Sequence, residues 1–255
     1  VHTSLPTRLR HRSAAARAQA AHEIGAFQPE GPGDLLGAVL PLLEDPVPFV
    51  AHIAARTLMQ SGDLRFAAPV LAWVLRQHRY QRERILRVLE GFGPGLLPWM
   101  EGHLPPPEED PEPWVLYARL VGSHRHRPSE PGLIRLLGVP HLDIQASAIK
   151  ALIILADPAT YPILKPLIEH HAWEIRAQAA RALGVLGGPY AIPELMPLLS
   201  DPIYEVRRNA AQSLIELGHA GVAALTWLAE DPEADRFARD MARERLEWIE
   251  ERGHL

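Results

Sequence analysis

The chain has 255 residues, of which 47% are hydrophobic, 22% charged and 6% aromatic; its formal net charge is −5 and it has no cysteine. Without cysteine there is no disulfide framework, thiolate nucleophile or zinc–thiolate site, and either redox compartment suits the chain. A net negative charge argues against a surface that attracts nucleic acid as a whole, and the weight of Ala and Leu favours helices.

The first residues, VHTSLPTRLRHRS, lack Met and have no apolar core for a signal peptide. They read as the start of a fragment of a longer product. Arg8, Arg10, His11, Arg12 and Arg17 form a basic cluster. It fits a basic helix start, or a juxtamembrane segment of the kind that flanks membrane helices on the cytoplasmic side. No apolar run approaches the roughly 20 residues of a membrane span. The expectation is a cytoplasmic chain, with any membrane attachment supplied by a segment before Val1. Basic residues are almost all Arg, Lys150 and Lys165 being the only lysines and Asn209 the only asparagine. That usage fits a GC-rich bacterial coding bias.

Helical units then follow one another down the chain. The same context recurs around Ile24, Leu58, Leu89, Leu120, Leu152, Leu183, Leu214 and Leu246, in steps of 31 to 34 residues. A fixed period in this range marks a stacked repeat. Small pairs precede these markers: Ala20-Ala21, Ala54-Ala55, Ala179-Ala180 and Ala210-Ala211. Side chains this small let helices approach closely. One helix pair cannot bury its own apolar face, so the unit is copied. The fourth copy, PEPWVLYARL, is the weakest. It lies between an acidic, Pro-rich turn at 105–113 (PPPEEDPEP) and a polar loop at 123–131 (SHRHRPSEP). The two mark an irregularity or hinge at 105–131 within one solenoid over 1–255, because the repeat phase survives both. The last copy, ARDMARERL, is polar, as a terminal cap should be.

Residues 189–218 show the unit in full. PYAIPELMPLLSD carries Ile192, Leu195, Met196 and Leu199 at helical spacing. Asp201-Pro202 breaks the chain, and the proline is expected in the first turn of the next helix. IYEVRRNAAQSLIELG follows, with Val206, Ala210, Leu214 and Leu217 on one stripe and Gly218 as C-cap. Asp45-Pro46, Asp110-Pro111 and Asp231-Pro232 repeat the break, and Gly62, Gly93 and Gly187 repeat the stop.

The pattern Asp-Pro-x-x-x-Val-Arg-x-x-Ala-Ala-x-x-Leu-x-x-Leu-Gly resembles the HEAT repeat, in the short bacterial form that also occurs in phycobilin lyases. The resemblance is strongest at 143–218. It implies an all-α, right-handed α-solenoid of about eight helix pairs, with a concave face lined by the second helices. It also implies that the Arg seven before the marker (Arg17, Arg82, Arg176, Arg207, Arg239) bonds the Asp of a neighbouring turn, such as Asp45, Asp201 or Asp231.

The candidate chemistry is sparse. His22-Glu23 resembles one of the His-Glu pairs of deoxyhypusine hydroxylase, a HEAT-repeat enzyme with a di-iron site. The equivalent pairs here (Arg56-Thr57, Arg87-Val88, Lys150-Ala151, Arg181-Ala182, Gln212-Ser213) supply no further ligands. His170 and His171 are adjacent and point about 100° apart on a helix, and His124 and His126 lie among arginines. No phosphate loop, nucleophile elbow or carboxylate pair for catalysis is present. No catalytic residue, cofactor or metal is expected.

The exposed face of each second helix carries the positions two, five, six and nine before the marker. In the N-terminal half they hold Arg with aromatics; in the C-terminal half, Lys150 and Arg181 with Asp143, Glu174 and Glu205. Phe49, Arg56, Tyr80, Arg84, Arg87 and Trp114 are therefore expected to form one binding patch, since Arg and aromatics dominate interface hot spots. The other reading packs Phe49 and Tyr80 against the preceding repeat. The expected function is a non-enzymatic scaffold for a protein or peptide. The alternatives are a phycobilin-lyase-like chaperone or enzyme, or a nucleic-acid binder similar to the HEAT-fold alkylpurine glycosylases, whose basic groove the acidic residues would interrupt.

Overall fold

Most turns between helices are built on an aspartate. At Asp45, Asp201 and Asp231 the carboxylate accepts the N–H two residues on, from Val47 (2.9 Å), Ile203 (2.9 Å) and Glu233 (3.0 Å). This Asx turn stops one helix and aims the chain for the next. The proline that follows cannot prolong the outgoing helix. It lies in the turn and not in the first helical turn as expected: after Pro202 the helix starts only at Tyr204. At the far ends of the helices Gly62 (φ 69°) and Gly218 (φ 71°) take the left-handed conformation that a C-terminal stop requires. Ala156 (φ 52°) and Arg125 (φ 49°) do the same at equivalent stops, where a side chain is strained. Gly187 does not cap. It is small because a Cβ there would meet the Tyr161 ring at 2.3 Å, and Gly188 (φ 51°) makes the turn.

The computed structural model describes residues 5–27, 34–77 and 89–252, with helices and turns but no strand among them. They fall into two compact units, Val1–Leu104 and Pro105–Leu255, divided at the start of the Pro-rich turn. The first holds α1 (Leu5–Leu9), α2 (Ala14–Phe27), α3 (Leu35–Val39), α4 (Pro48–Gln60), α5 (Ala67–Arg76) and α6 (Leu96–His103). The second holds α7 (Glu112–His124), α8 (Glu130–Leu136), α9 (Leu142–Leu155), α10 (Tyr161–Leu164) and α11 (Trp173–Gly187). It continues with α12 (Ile192–Leu195), α13 (Tyr204–Glu216), α14 (His219–Glu230) and α15 (Arg236–Arg252). There α7, α9, α11, α13 and α15 are the second helices of successive repeats, each packed on the one before. This is the construction of an α-solenoid.

The first helices are not α-helical throughout. After Val39, Leu164 and Leu195 the chain tightens into 3₁₀ segments, Leu40–Glu44, Lys165–Glu169 and Met196–Ser200. Pro41, Pro166 and Pro197 stand at their beginnings. Proline has no N–H to give the α-helical bond, so the last turn changes its pitch. The run Trp173–Ser200 has the length and apolar composition of a membrane span, which the sequence reading overlooked. It is two helices of consecutive repeats, parted at Gly188, and 44% of its most apolar window is buried.

The markers form the core. Ile24, Leu58, Leu152, Leu183 and Leu214 have no exposed surface, and Leu89 and Leu120 have almost none. Beside them the second helices meet through small residues. A Cβ on Gly184 would lie 2.5 Å from that of Ser213, and one on Gly25 would lie 3.1 Å from the Thr57 methyl. The hydroxyls of Ser213 and Thr57 donate to the carbonyls of Ala180 and Ala21, both at 3.1 Å. Glycine one after the marker thus faces the residue one before the next marker. In the fourth repeat that glycine is Gly122, set against Ala151. The structural marker there is Val121, wholly buried, and the sequence register at Leu120 was one residue short.

Candidate functional site

The position seven before the marker serves the fold. Arg176 donates Nη1 to the carbonyls of His170 (2.9 Å) and His171 (3.1 Å) in its own turn, and Nε and Nη2 to Asp201 of the next turn (2.7 and 3.0 Å). Arg17 does the same with His11, Arg12 and Asp45. The Arg17 guanidinium holds the Asp45 carboxyl below the usual aspartate range. At Asp201 burial pushes upward, but Arg176 and the Ile203 N–H outweigh it and the carboxyl is also lowered. Arg207 departs from the expected pairing. It reaches the carbonyls of Asp201 (2.6 Å) and Pro202 (3.0 Å), and the Phe237 ring covers its guanidinium at 4.7 Å. Asp231 stands fifteen residues before Leu246, whereas Asp201 stands thirteen before Leu214. Thirteen before Leu246 stands Glu233, which is exposed.

The N-terminal halves of α9, α11 and α13 border an open cleft of about 660 Å³, and the repeat builds its lining in rows. Nine before each marker stand Asp143, Glu174 and Glu205, all in first helical turns. Carboxylates there complement the helix dipole, and none of the three is in an ion pair among the described residues. Six before the marker, Ala146 and Ala177 keep the floor low and Arg208 rises from it; two before, Lys150 lines the far side. Five before, Gln178 and Asn209 bring amides to the floor. Asn209 donates to the Ala177 carbonyl at 3.0 Å, which ties α13 to α11. The Gln178 Oε1 and His141 Nδ1 atoms are buried without a hydrogen-bond partner. At the rim, Leu142 and Trp173 leave 42% and 38% of their surface in water.

The residues expected to bind are distributed differently. Phe49 (63% exposed) and Arg56 (exposed) stand seven residues apart on α4, hence on one face of that helix. Tyr80, Arg84 and Arg87 lie outside the described residues. Trp114 belongs to the second unit and is partly buried. Counted from Val121 it is seven before the marker, in the slot that Arg176 fills, and not on the exposed face. Its Nε1 donates to the Pro105 carbonyl at 2.7 Å, and its ring stands edge-on to the buried Tyr117. Sequence reasoning missed Trp173, Gln178 and Asn209 as a site. The available signal was positional, since Leu142, Trp173 and Tyr204 all stand ten before their markers and are all exposed apolar residues.

The histidines have local roles. Arg8 holds Glu23 at 2.7 and 3.1 Å, so the His22-Glu23 carboxylate is engaged. His170 Nδ1 accepts the Ala172 N–H at 3.1 Å, and His126 Nδ1 lies 3.0 Å from the Ser129 hydroxyl. Among the described residues no three His, Asp or Glu side chains gather as metal ligands would.

The helix pairs, the small-residue seam and the Arg–Asp clamp define a solenoid of HEAT-like repeats. Consistent with this, residues 164–247 match the family model described as HEAT repeats. Three solved structures align with the chain at low identity. The complex of CpcE and CpcF of phycocyanin lyase from Nostoc sp. PCC7120 is 20% identical, over 96% of this chain and 86% of that one, with a TM-score of 0.36. Human deoxyhypusine hydroxylase in complex with glycerol is 21% identical, over 98% and 96%, with a TM-score of 0.39. A designed armadillo repeat protein is 17% identical, over 84% and 98%, with a TM-score of 0.41. No curated protein matches the sequence.

Proposed function

We propose that the chain is a non-enzymatic scaffold whose second-helix groove, on α9, α11 and α13, binds a protein or peptide. The observation that carries this reading is the composition of the groove. An exposed Trp173, a low alanine floor, the Gln178 and Asn209 amides and unpaired charges of both signs converge in one open cleft. Ligand sites join apolar contact area to a few placed polar groups in this way. Phe49 and Arg56 on α4 offer a second, smaller surface of the same kind. The three carboxylates of the groove oppose phosphate, so nucleic acid is the poorer reading.

The test is Ala146→Arg, at a partly exposed floor position, which fills the cleft. Peptides selected from a display library on the full chain should bind this variant at least about tenfold more weakly, with an unchanged melting temperature. Unchanged affinity for every selected peptide would place recognition elsewhere.

A further inference from the structure

The rows of the groove repeat with the helices that carry them. Packed helices stand about 8–10 Å apart, so the carboxylate row of Asp143, Glu174 and Glu205 recurs at that interval. Few peptide conformations present like side chains on one face at such a spacing. In an α-helix residues six apart are about 9 Å apart along the axis but point about 120° away from each other. In a β-strand residues three apart lie on opposite faces. A polyproline II helix turns once in three residues with about 3.1 Å rise per residue, so every third side chain returns to one face after about 9 Å.

We propose that the groove takes an extended, polyproline II-like segment with an arginine at every third residue, each guanidinium meeting one carboxylate of the row. This rests on the groove being a binding site at all. Arginine fits better than lysine because Trp173 lines the rim beside Glu174. A planar guanidinium stacks on an indole while it bonds a carboxylate in bidentate fashion, and an ammonium does not. Arg208 stands three residues from Glu205 on α13 and competes for it. Asp143 and Glu174 therefore carry more of the recognition than Glu205.

The test measures binding of three peptides to the full chain by fluorescence anisotropy. One repeats Arg-Pro-Pro four times. The second has the same composition with its four arginines adjacent. The third repeats Glu-Pro-Pro. The regular arginine peptide should bind about tenfold tighter than the clustered one, and the acidic peptide least of all. Glu174→Gln and Trp173→Ala should each weaken the regular peptide about fivefold, while Tyr190→Ala, at an exposed residue outside the cleft, leaves it unchanged. Equal affinity for the regular and clustered peptides overturns the periodicity, and tighter binding of the acidic peptide overturns the sign. If none of the three binds but display-selected peptides still lose affinity on Ala146→Arg, this inference alone falls. If those also ignore Ala146→Arg, the proposed function falls with it.

Discussion

Trp114 and Arg176 occupy one place in two repeats, seven before the buried marker, and the repeats around them differ accordingly. Arg176 serves two carbonyls of its own turn and the Asp201 carboxylate of the next. Trp114 has one donor and serves one carbonyl, that of Pro105. In the repeat after Trp114, the position of Asp201 is taken by Val139, which is buried. Gln145 holds the same place in the repeat between them. It donates to the Leu137 carbonyl at 3.0 Å, and the next turn has His170 where Asp201 would stand. In each of these repeats the slot residue donates to a carbonyl of the chain entering its own helix. A carboxylate follows in the next turn where an arginine precedes it, as at Asp45 after Arg17. Where the arginine is missing, an unpaired buried acid would cost several kcal/mol.

Writing the acid into the irregular repeat should give the largest effect. Val139→Asp should destabilise the second unit by about 3 kcal/mol, and adding Trp114→Arg should recover about 1 kcal/mol or more of that. No recovery in urea melts would mean that the two positions are not coupled as Arg176 and Asp201 are.

Arg176→Ala should cost about 2–3 kcal/mol, between the limits for exposed and buried pairs. The same pair gives the pH dependence its sign. The Asp201 carboxyl is lowered in the folded chain, so its contribution is full at neutral pH. It fades below about pH 4, as the pH falls toward the folded value. Thermal melts of wild type and Arg176→Ala should therefore converge on acidification, and a gap that stays constant down to pH 3 would contradict the pairing.

Arg207→Ala should lower stability by about 1–2 kcal/mol through its two carbonyl bonds and the Phe237 ring. Arg208→Ala, at an exposed groove position, should stay within about 0.5 kcal/mol. Equal effects would undo the assignment of position seven to the fold and position six to the surface. The smallest effect belongs to the stops. Ala156→Gly should stabilise by about 0.5–1 kcal/mol, because glycine removes the strain of φ 52°; a loss instead would show that the Ala156 methyl packs.

The fold was legible because the repeat is a packing rule written in residue sizes. The alanine pairs and the markers Ile24, Leu58, Leu152, Leu183 and Leu214 are all buried where sequence spacing put them. The fourth repeat was misread by one residue because Leu120 and Val121 are both aliphatic and both buried. Only the contact of Gly122 with Ala151 separates them. That single residue moved Trp114 from the exposed face into the structural slot. The exposed face itself was legible, since the offsets two, five, six and nine do line the cleft. Where on that face a cleft forms was not legible. It depends on Ala146 and Ala177 lying side by side on neighbouring helices, and on Trp173 turning toward them, which no spacing within one helix encodes.

Hydrogen exchange on the full chain, with and without a display-selected peptide, tests the central claim most directly. A peptide seated in the groove should slow exchange in the N-terminal halves of α9, α11 and α13 and leave α4 unchanged. Protection confined to α4 around Phe49 and Arg56, with α9 to α13 unaltered, would contradict the account.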